Sequence, residues 1–235
     1  NNNDGWETAR ALKEKGCNLV AIIDSRPDSA DNLGSIPIYK GTQIVNTAGY
    51  NKLKSIQLSN GKKIRVDCLG VSGGWNPNLH LTCHQGGRPK WNEKTACFIP
   101  NSVPQNMKVT GSANGIFSLD QILTDSVQKT QAICKELGFP LKKRRTIVAC
   151  NKDLNIEPLW HVDKSISRSW IDLQNDVTTK DIEQSYQEGF KSVEHLKRYT
   201  TLGMATDQGK NSNVLGLAIM AKIQNKSIPE VGTTV

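Results

Sequence analysis

The sequence predicts an α/β fold in which a mixed α/β domain precedes a small helical domain. Residues 1–16 carry a helical pattern, and residues 18–24 (NLVAIID) form a short apolar run suited to a buried parallel strand. Residues 36–70 alternate apolar and polar side chains, as half-buried strands do. Residues 178–226 carry three short helical patterns in succession. A helix and a parallel strand followed by further strands indicate a nucleotide-binding α/β domain.

The first helix and strand predict the second half of a β-α-β unit. Asp4 is the expected N-cap of the helix and Gly16 its end. The strand ends in Asp24-Ser25-Arg26. In dinucleotide folds, an acidic residue at this point accepts the ribose hydroxyls, and a nearby arginine can pair with a phosphate or stack on adenine. Asp24 favours NAD over NADP, and the alternative is an ion pair within the loop.

The middle of the chain predicts a hairpin and two further strands. Asn60-Gly61 lies between alternating runs, a strong hairpin signal. Residues 95–100 and 107–111 are predicted strands, and residues 118–137 an amphipathic helix. The small residues at 111–115 between them could bind an anion or a nucleotide edge, or could simply allow tight strand–helix packing.

The C-terminal residues predict three capped helices. Their expected N-caps are Thr178, Ser192 and Ser212, with Asp181 in the first turn of the first helix. Their expected core is Val193, Leu196, Leu202, Met204, Leu215, Ile219 and Met220. His161, upstream, is expected to be a structural histidine with a hydrogen-bonded ring.

Composition excludes several classes of function. No run approaches the roughly 18 apolar residues of a membrane helix. The net charge is +8, but the densest basic cluster, Lys142–Arg145, has no interleaved aromatic residues, so a solvated connector is favoured over nucleic-acid binding. The six widely spaced cysteines indicate a reducing, cytoplasmic compartment. His80, Cys83 and His84 lack the partners of a zinc site.

Six stretches carry a resemblance that spans nearly the whole chain. They are NND (2–4), DSR (24–26), VSGGWNP (71–77), GSANG (111–115), WHVD (160–163) and the final block from QNDVT to SN (174–213), which includes EHLKRYTTLGMATDQGKNSN. Together they closely resemble the alpha subunits of heterotetrameric sarcosine oxidases. The resemblance implies an internal fragment without the N-terminal part or the C-terminal folate-binding domain.

The resemblance also implies the fold and its domain boundaries. Residues 1–140 would be part of a two-dinucleotide-binding, Rossmann-like FAD/NAD(P) domain, and residues 141–165 a connector. Residues 166–226 would be a small helical domain related to the bacterioferritin-associated-ferredoxin-like [2Fe–2S] fold, and residues 227–235 the start of a linker. The four thiolate positions of that domain hold Asp172, Gln174, Asp207 and Ser212. Clusters need thiolates or histidine, so none is expected.

The activity implied by the resemblance is oxidation of sarcosine to glycine. Oxygen becomes hydrogen peroxide, and the one-carbon unit leaves as formaldehyde or as 5,10-methylenetetrahydrofolate. The resemblance implies NAD in this subunit, FMN shared at the alpha–beta interface, FAD in the beta subunit and tetrahydrofolate in the C-terminal domain. The implied partners are the beta, gamma and delta subunits and sarcosine, with no nucleic acid, no membrane and no metal. No catalytic residue is expected in this chain.

Two sets of residues are expected to bind cofactors. The resemblance gives an NAD set: Gly5, Asp24, Ser25, Arg26, Asn32, Val71, Ser112, Phe117 and Leu119. A second set, Lys197, Arg198, Thr200 and Thr201, is hypothesised to face the FMN phosphate or the beta subunit, because cations with hydroxyls suit a phosphate. For the second set, the alternative is a solvated helix face. For the whole chain, the alternative functions are an NAD(P)H-dependent flavoprotein reductase and a non-catalytic assembly module of an amine dehydrogenase.

Overall fold

The chain is described by a computed structural model that covers residues 1–29, 32–140 and 154–232. It divides into two compact units, one formed by residues 1–74 and 156–234 and the other by residues 75–155. The domain boundaries predicted at residues 140 and 165 stay predictions. The basic cluster Lys142–Arg145 and Cys150 lie outside the described residues.

The helices and strands follow one another in this order: α1 (Asn3–Glu14), β1 (Ile22–Asp24), β2 (Ile38–Lys40), β3 (Ile44–Gly49), β4 (Leu53–Leu58), β5 (Lys63–Arg65), α2 (His80–His84), β6 (Pro89–Asn92), β7 (Cys97–Pro100), a 3₁₀ helix (Gly111–Asn114), α3 (Leu119–Glu136), β8 (Trp170–Asp172), β9 (Val177–Thr178), α4 (Thr179–Gln187), α5 (Val193–Thr200), α6 (Asn213–Gln224) and α7 (Ile228–Val231). The segment from α2 to α3 belongs to the second unit, and the other elements belong to the first.

Strands β1 and β2 form a parallel pair in the first unit, with Asp24 opposite Lys40. Successive side chains of a strand point to opposite faces, and both faces of this strand pair are covered by other residues. Ile22 and Ile38 pack on the cluster formed around α1, whereas Ile23 and Tyr39 pack on the core of the β3–β4–β5 sheet. The parallel pair therefore lies between α1 and the antiparallel sheet.

Helix α1 begins earlier than its sequence suggests. Asn2, not Asp4, is the N-cap, and its side-chain oxygen accepts the backbone N–H groups of Asp4 and Gly5. Asn2 satisfies donors that an Asp4 cap would leave unpaired, and Asp4 instead lies in the first turn, where its charge suits the helix dipole. The hairpin prediction is confirmed, because Asn60-Gly61 connects β4 to β5.

The second unit contains the β6–β7 hairpin and α3. The predicted helix is confirmed to within one residue at each end. The prediction of a strand at residues 107–111 is wrong. There the Thr110 hydroxyl and the Gly111 N–H both donate to the Asp125 carboxylate on α3, at 2.7 and 3.3 Å, so these groups bond to a side chain on a helix.

Two of the three predicted caps of the small helical segment are confirmed, whereas the Ser212 side chain makes no capping hydrogen bond. Thr178 and Asp181 form a capping box before α4, Ser192 caps α5, and Ser212 precedes α6. Most of the predicted core is buried, and Ile182 and Leu217, both fully buried, were not predicted.

Met204 is a wrong core prediction, because it is 51% exposed. Thr201 and Gly203 both adopt left-handed backbone conformations at the end of α5. The chain therefore turns sharply just before Met204, and the helical spacing that suggested burial does not continue through it. Leu215 is only half-buried.

Neither a membrane helix nor a metal cluster is found among the described residues. No helix of that part of the chain is long and apolar enough to cross a membrane. No group of three or more His, Cys, Asp and Glu side chains there could hold a metal ion.

Candidate functional site

The candidate nucleotide site is built around Asp24, the last residue of β1. Its carboxylate is buried, with 2% of the residue exposed. One carboxylate oxygen, Oδ1, accepts the backbone N–H of Arg26 at 3.0 Å. The other, Oδ2, accepts the indole N–H of Trp6, on α1, at 2.7 Å. The strand and the helix therefore each hold one oxygen of this carboxylate.

The Arg26 guanidinium also bonds to Asp24. Its Nε donates to Oδ1 at 3.0 Å and its Nη2 to Oδ2 at 2.8 Å, a bidentate arrangement. Its Nη1 donates to the side chain of Asn3, in the first turn of α1, at 2.8 Å. Arg26 is as buried as Asp24. The guanidinium thus spans the space between the end of β1 and the start of α1.

The charge state of Asp24 follows from these contacts. Burial alone raises the pKa of a carboxyl group. The hydrogen bonds from Arg26 and Trp6, with the positive charge of Arg26, outweigh burial and hold the pKa of Asp24 well below its ordinary value. Asp24 is therefore an anion at neutral pH, as a carboxylate that accepts ribose hydroxyls must be.

The start of α1 contacts the glycine-rich loop that follows residue 70. The Asn2 side chain accepts the Ser72 hydroxyl at 2.9 Å and donates to the Ser72 carbonyl at 3.1 Å. A Cβ on Gly5 would lie 3.4 Å from that of Ser72, at ordinary van der Waals distance, so the first turn of α1 lies next to this loop. Val71, the neighbouring predicted NAD residue, is 82% exposed.

The remaining predicted NAD residues lie apart along the chain. Ser25 is half-buried between Asp24 and Arg26, and the exposed Asn32 accepts the N–H of Gly34 at 3.1 Å. The other three belong to the second unit. Ser112 is exposed on the 3₁₀ helix, Phe117 is half-buried, and Leu119 is 62% exposed at the start of α3.

Trp6 is the functional candidate that sequence reasoning missed. A helix that packs on a parallel strand turns one face toward it, and the buried residues Trp6 and Ala9 are three apart on that face. A tryptophan there, with its single N–H donor, needs a buried acceptor. In the sequence, Asp24 at the end of the next strand is the residue that could have indicated this acceptor.

The second predicted set lies at the end of α5. Lys197 is half-buried and Arg198 is exposed. The Thr200 hydroxyl donates to the Leu196 carbonyl at 2.8 Å, and the Thr201 hydroxyl donates to the Thr200 carbonyl at 2.6 Å. Both hydroxyl protons are thus used within the helix end, which leaves the two cations as the donors for an external anion.

His161 behaves as a partnered surface histidine. Its Nδ1 lies 3.2 Å from a carboxylate oxygen of Asp163, which also pairs with Lys222 of α6 at 2.5 Å. Hydrogen bonds from Lys222 and His161 lower the pKa of Asp163. This cluster contains no nucleophile.

Comparisons of the sequence with known proteins find sarcosine oxidase subunits alpha or one of their domains. Residues 166–235 match the model of the sarcosine oxidase A3 domain. Sarcosine oxidase subunit alpha of Rhizobium meliloti (strain 1021) is 36% identical over 99% of the chain. The subunits alpha of Corynebacterium sp. strains P-1 and U-96 are 27% and 26% identical over 92% of it.

The matched regions are only parts of longer proteins. The chain covers 24% of the Rhizobium subunit and 25% of each Corynebacterium subunit. Among solved structures, L-proline dehydrogenase from P. horikoshii superposes with a TM-score of 0.67 over 97% of the chain and 44% of its own length. At 17% identity, that likeness shows the mixed α/β fold alone.

The similarity to subunits alpha runs almost from end to end of the chain, and the A3 match covers its residues 166–235. The chain therefore belongs to the sarcosine oxidase alpha subunit family, and it spans about a quarter of the length of the alpha subunits that it matches.

Proposed function

We propose that this chain forms the NAD-binding and subunit-contacting part of the alpha subunit of a sarcosine oxidase. The observation that carries the proposal is the 36% identity to a subunit alpha over 99% of the chain. The whole complex would convert sarcosine, oxygen and water to glycine, formaldehyde and hydrogen peroxide, or pass the one-carbon unit to tetrahydrofolate. Sarcosine itself would be oxidised at FAD in the beta subunit.

The residues around Asp24 fit the ribose of NAD. The carboxylate is anionic, lies at the carboxyl end of a parallel strand, and adjoins the start of a helix, which is where dinucleotide folds bind the ribose and the pyrophosphate. Trp6 and the Arg26 backbone fix one lone pair on each oxygen. The other two lone pairs accept the Arg26 guanidinium, and a ribose diol would take its place there.

Binding therefore requires the Arg26 side chain to move. Once released from Asp24 and Asn3, its guanidinium would be available to the phosphates or the adenine ring, the roles expected of it from the sequence. NAD supplies a nicotinamide able to accept or donate a hydride. This chain's own residues would bind and orient the dinucleotide.

The cations at the end of α5 fit a phosphate or an acidic partner surface. We propose that Lys197 and Arg198 contact the FMN phosphate or the beta subunit, with FMN shared between the subunits. Their place at the helix end, with Arg198 exposed and Lys197 half-buried, supports this role. Thr200 and Thr201 would act as acceptors or through their backbone, because their hydroxyl protons are already donated.

The small helical domain does not fit an iron–sulfur cluster. Two of the positions equivalent to cluster ligands hold carboxylates that accept backbone N–H groups. Asp172 accepts that of Gly203 at 2.9 Å, and Asp207 accepts that of Gly209 at 3.2 Å. We infer that a hydrogen-bonded carboxylate holds these loops in place of a metal centre.

Analysis of bound cofactors tests the proposal. The complete alpha subunit would be purified with its partner subunits and denatured, and the released nucleotides and iron would be measured. We expect NAD and flavin without stoichiometric iron. Asp24→Asn should lose NAD and keep flavin, whereas the exposed Asp28→Asn should keep both. A complex without NAD would refute the nucleotide assignment.

A second experiment tests the α5 cations. Lys197→Ala/Arg198→Ala should lower FMN occupancy, and Lys180→Ala/Lys226→Ala removes the same charge from other exposed positions of the domain. Unchanged FMN occupancy and assembly in the first variant would remove these residues from the proposed interface.

A further inference from the structure

Trp6 makes a contact that packing alone does not require. The residue is 2% exposed and belongs to the cluster with Ala9 and Leu33. An indole ring packs through its faces, and its single N–H needs an acceptor only if no water reaches it. Here that acceptor is the Asp24 carboxylate, at 2.7 Å, rather than a backbone carbonyl.

The four donors to Asp24 fall into two kinds. Trp6 and the Arg26 N–H belong to the helix and the strand end, and neither can leave without moving the backbone or the core. The Arg26 Nε and Nη2 belong to a long side chain that can rotate away. Each carboxylate oxygen accepts one donor of each kind.

This division sets the orientation of Asp24 when the guanidinium leaves. The Arg26 N–H holds Oδ1 and the indole N–H holds Oδ2, so the carboxylate plane keeps its direction. Without the indole, Oδ2 would lose the one fixed donor that the described residues give it, and the carboxylate could rotate about χ2, which is a broad torsion. A rotated carboxylate cannot accept two neighbouring hydroxyls together.

We propose that Trp6 is a positioning residue for the dinucleotide: its indole N–H holds the Asp24 carboxylate in the orientation that accepts a ribose diol in exchange for the Arg26 guanidinium. The proposal rests on the NAD function proposed above. It assigns to helix α1 a direct part in ribose recognition.

The test is titration of the complete complex, freed of nucleotide, with NAD in a calorimeter. Trp6→Phe keeps an aromatic ring in the core and removes the donor. We expect NAD to bind roughly tenfold more weakly, in line with the loss of one hydrogen bond between a ribose hydroxyl and the rotated carboxylate. In an Asp24→Asn background, which should lose NAD on purification, the same change should add little to the weak binding measured at high NAD concentration, because the carboxylate that it orients is gone.

A matched control separates positioning from packing. Leu33→Ala disturbs the same cluster without touching the indole–carboxylate bond. At an equal fall in melting temperature, it should leave the affinity for NAD within about twofold of the parent, a change of under about 0.5 kcal/mol. If Leu33→Ala weakens binding as much as Trp6→Phe, or if Trp6→Phe binds NAD as the parent does, the positioning role is refuted.

Two further outcomes are decisive. If Trp6→Phe fails to assemble, β-(3-benzothienyl)alanine at position 6 provides the shape of the indole with sulfur in place of N–H, and the same loss of affinity is expected. If the parent complex does not bind NAD at all, the proposed NAD function and the role of Trp6 both fall. Binding by the parent with no change on removing the N–H overturns the role of Trp6 alone.

Discussion

The Asp172 carboxylate accepts the backbone N–H of Gly203 at 2.9 Å, although the two residues are 31 positions apart. The same carboxylate accepts the N–H groups of Gln174 and Asn175, at 2.8 and 3.2 Å. One buried side chain thereby closes the turn after β8 and fixes the loop after α5. This loop joins α5 to α6, so the contact helps to set the path of the chain between these two helices.

Asp172→Asn should destabilise the protein by about 1–3 kcal/mol. An amide has one oxygen acceptor, and its NH₂ group would face at least one of the backbone N–H groups that the carboxylate now accepts. Urea unfolding followed by circular dichroism would measure the loss. Asp176→Asn is the control, because Asp176 is exposed and its left-handed backbone (φ 56°) tolerates asparagine. Equal stability of the two variants would contradict this account of Asp172.

The contribution of Asp172 should depend on pH. Burial raises its pKa, but the three backbone donors outweigh burial, so its pKa in the folded protein lies below the ordinary value. A carboxyl group whose pKa is lowered in the folded protein contributes its full stabilisation above its unfolded-state pKa of about 3.9. That stabilisation is lost as the pH falls through the folded-state pKa.

The stability difference between the parent and Asp172→Asn should therefore be largest near about pH 7 and shrink below about pH 4. Unfolding curves measured across this range provide the check. A difference that stays constant down to about pH 3 would show that the negative charge of Asp172 is not what stabilises the loop.

Arg26→Met should cost about 3–5 kcal/mol, because it leaves the Asp24 carboxylate buried without its charged partner. Asp24→Asn/Arg26→Met should lose less than the sum of the two single variants, since neither charge then remains unpaired. The partly exposed pair of Glu7 and Arg10 provides the comparison: Arg10→Met should cost under about 1 kcal/mol. Additive losses at Asp24 and Arg26 would show that the pair does not act as a unit.

Gly203→Ala should destabilise the protein more than Gly189→Ala does. Both glycines have left-handed backbones, which cost an ordinary residue about 1–2 kcal/mol. A Cβ on Gly203 would also lie 2.3 Å from the Asn213 side chain, whereas one on Gly189 would meet nothing within 4 Å. Thermal unfolding of both variants would separate the clash from the backbone term. A smaller loss at Gly203 would mean that Asn213 moves aside at little cost.

Features set by neighbouring residues were predictable from the sequence. The caps Thr178 and Ser192 are confirmed, because a cap satisfies N–H groups only two or three residues away. Ser212 precedes α6 as predicted, but its side chain makes no capping hydrogen bond. Helix α3 was predictable because its apolar period repeats over five turns. The cap of α1 was misassigned within the run Asn1 to Asp4, where several adjacent residues could serve, and contact with Ser72 favours Asn2.

By itself, the sequence determined helices α1 and α3 to α6, the hairpin at Asn60-Gly61 and the placement of an acidic residue at the end of a parallel strand. Only the tertiary structure decided that this residue is held by Trp6 and paired with Arg26, that Met204 is exposed, and that Asp172 joins two loops. The physical reason is range. Periodicity and capping act over a few neighbouring residues, whereas a buried carboxylate takes its donors from whichever segments the fold brings within hydrogen-bond distance.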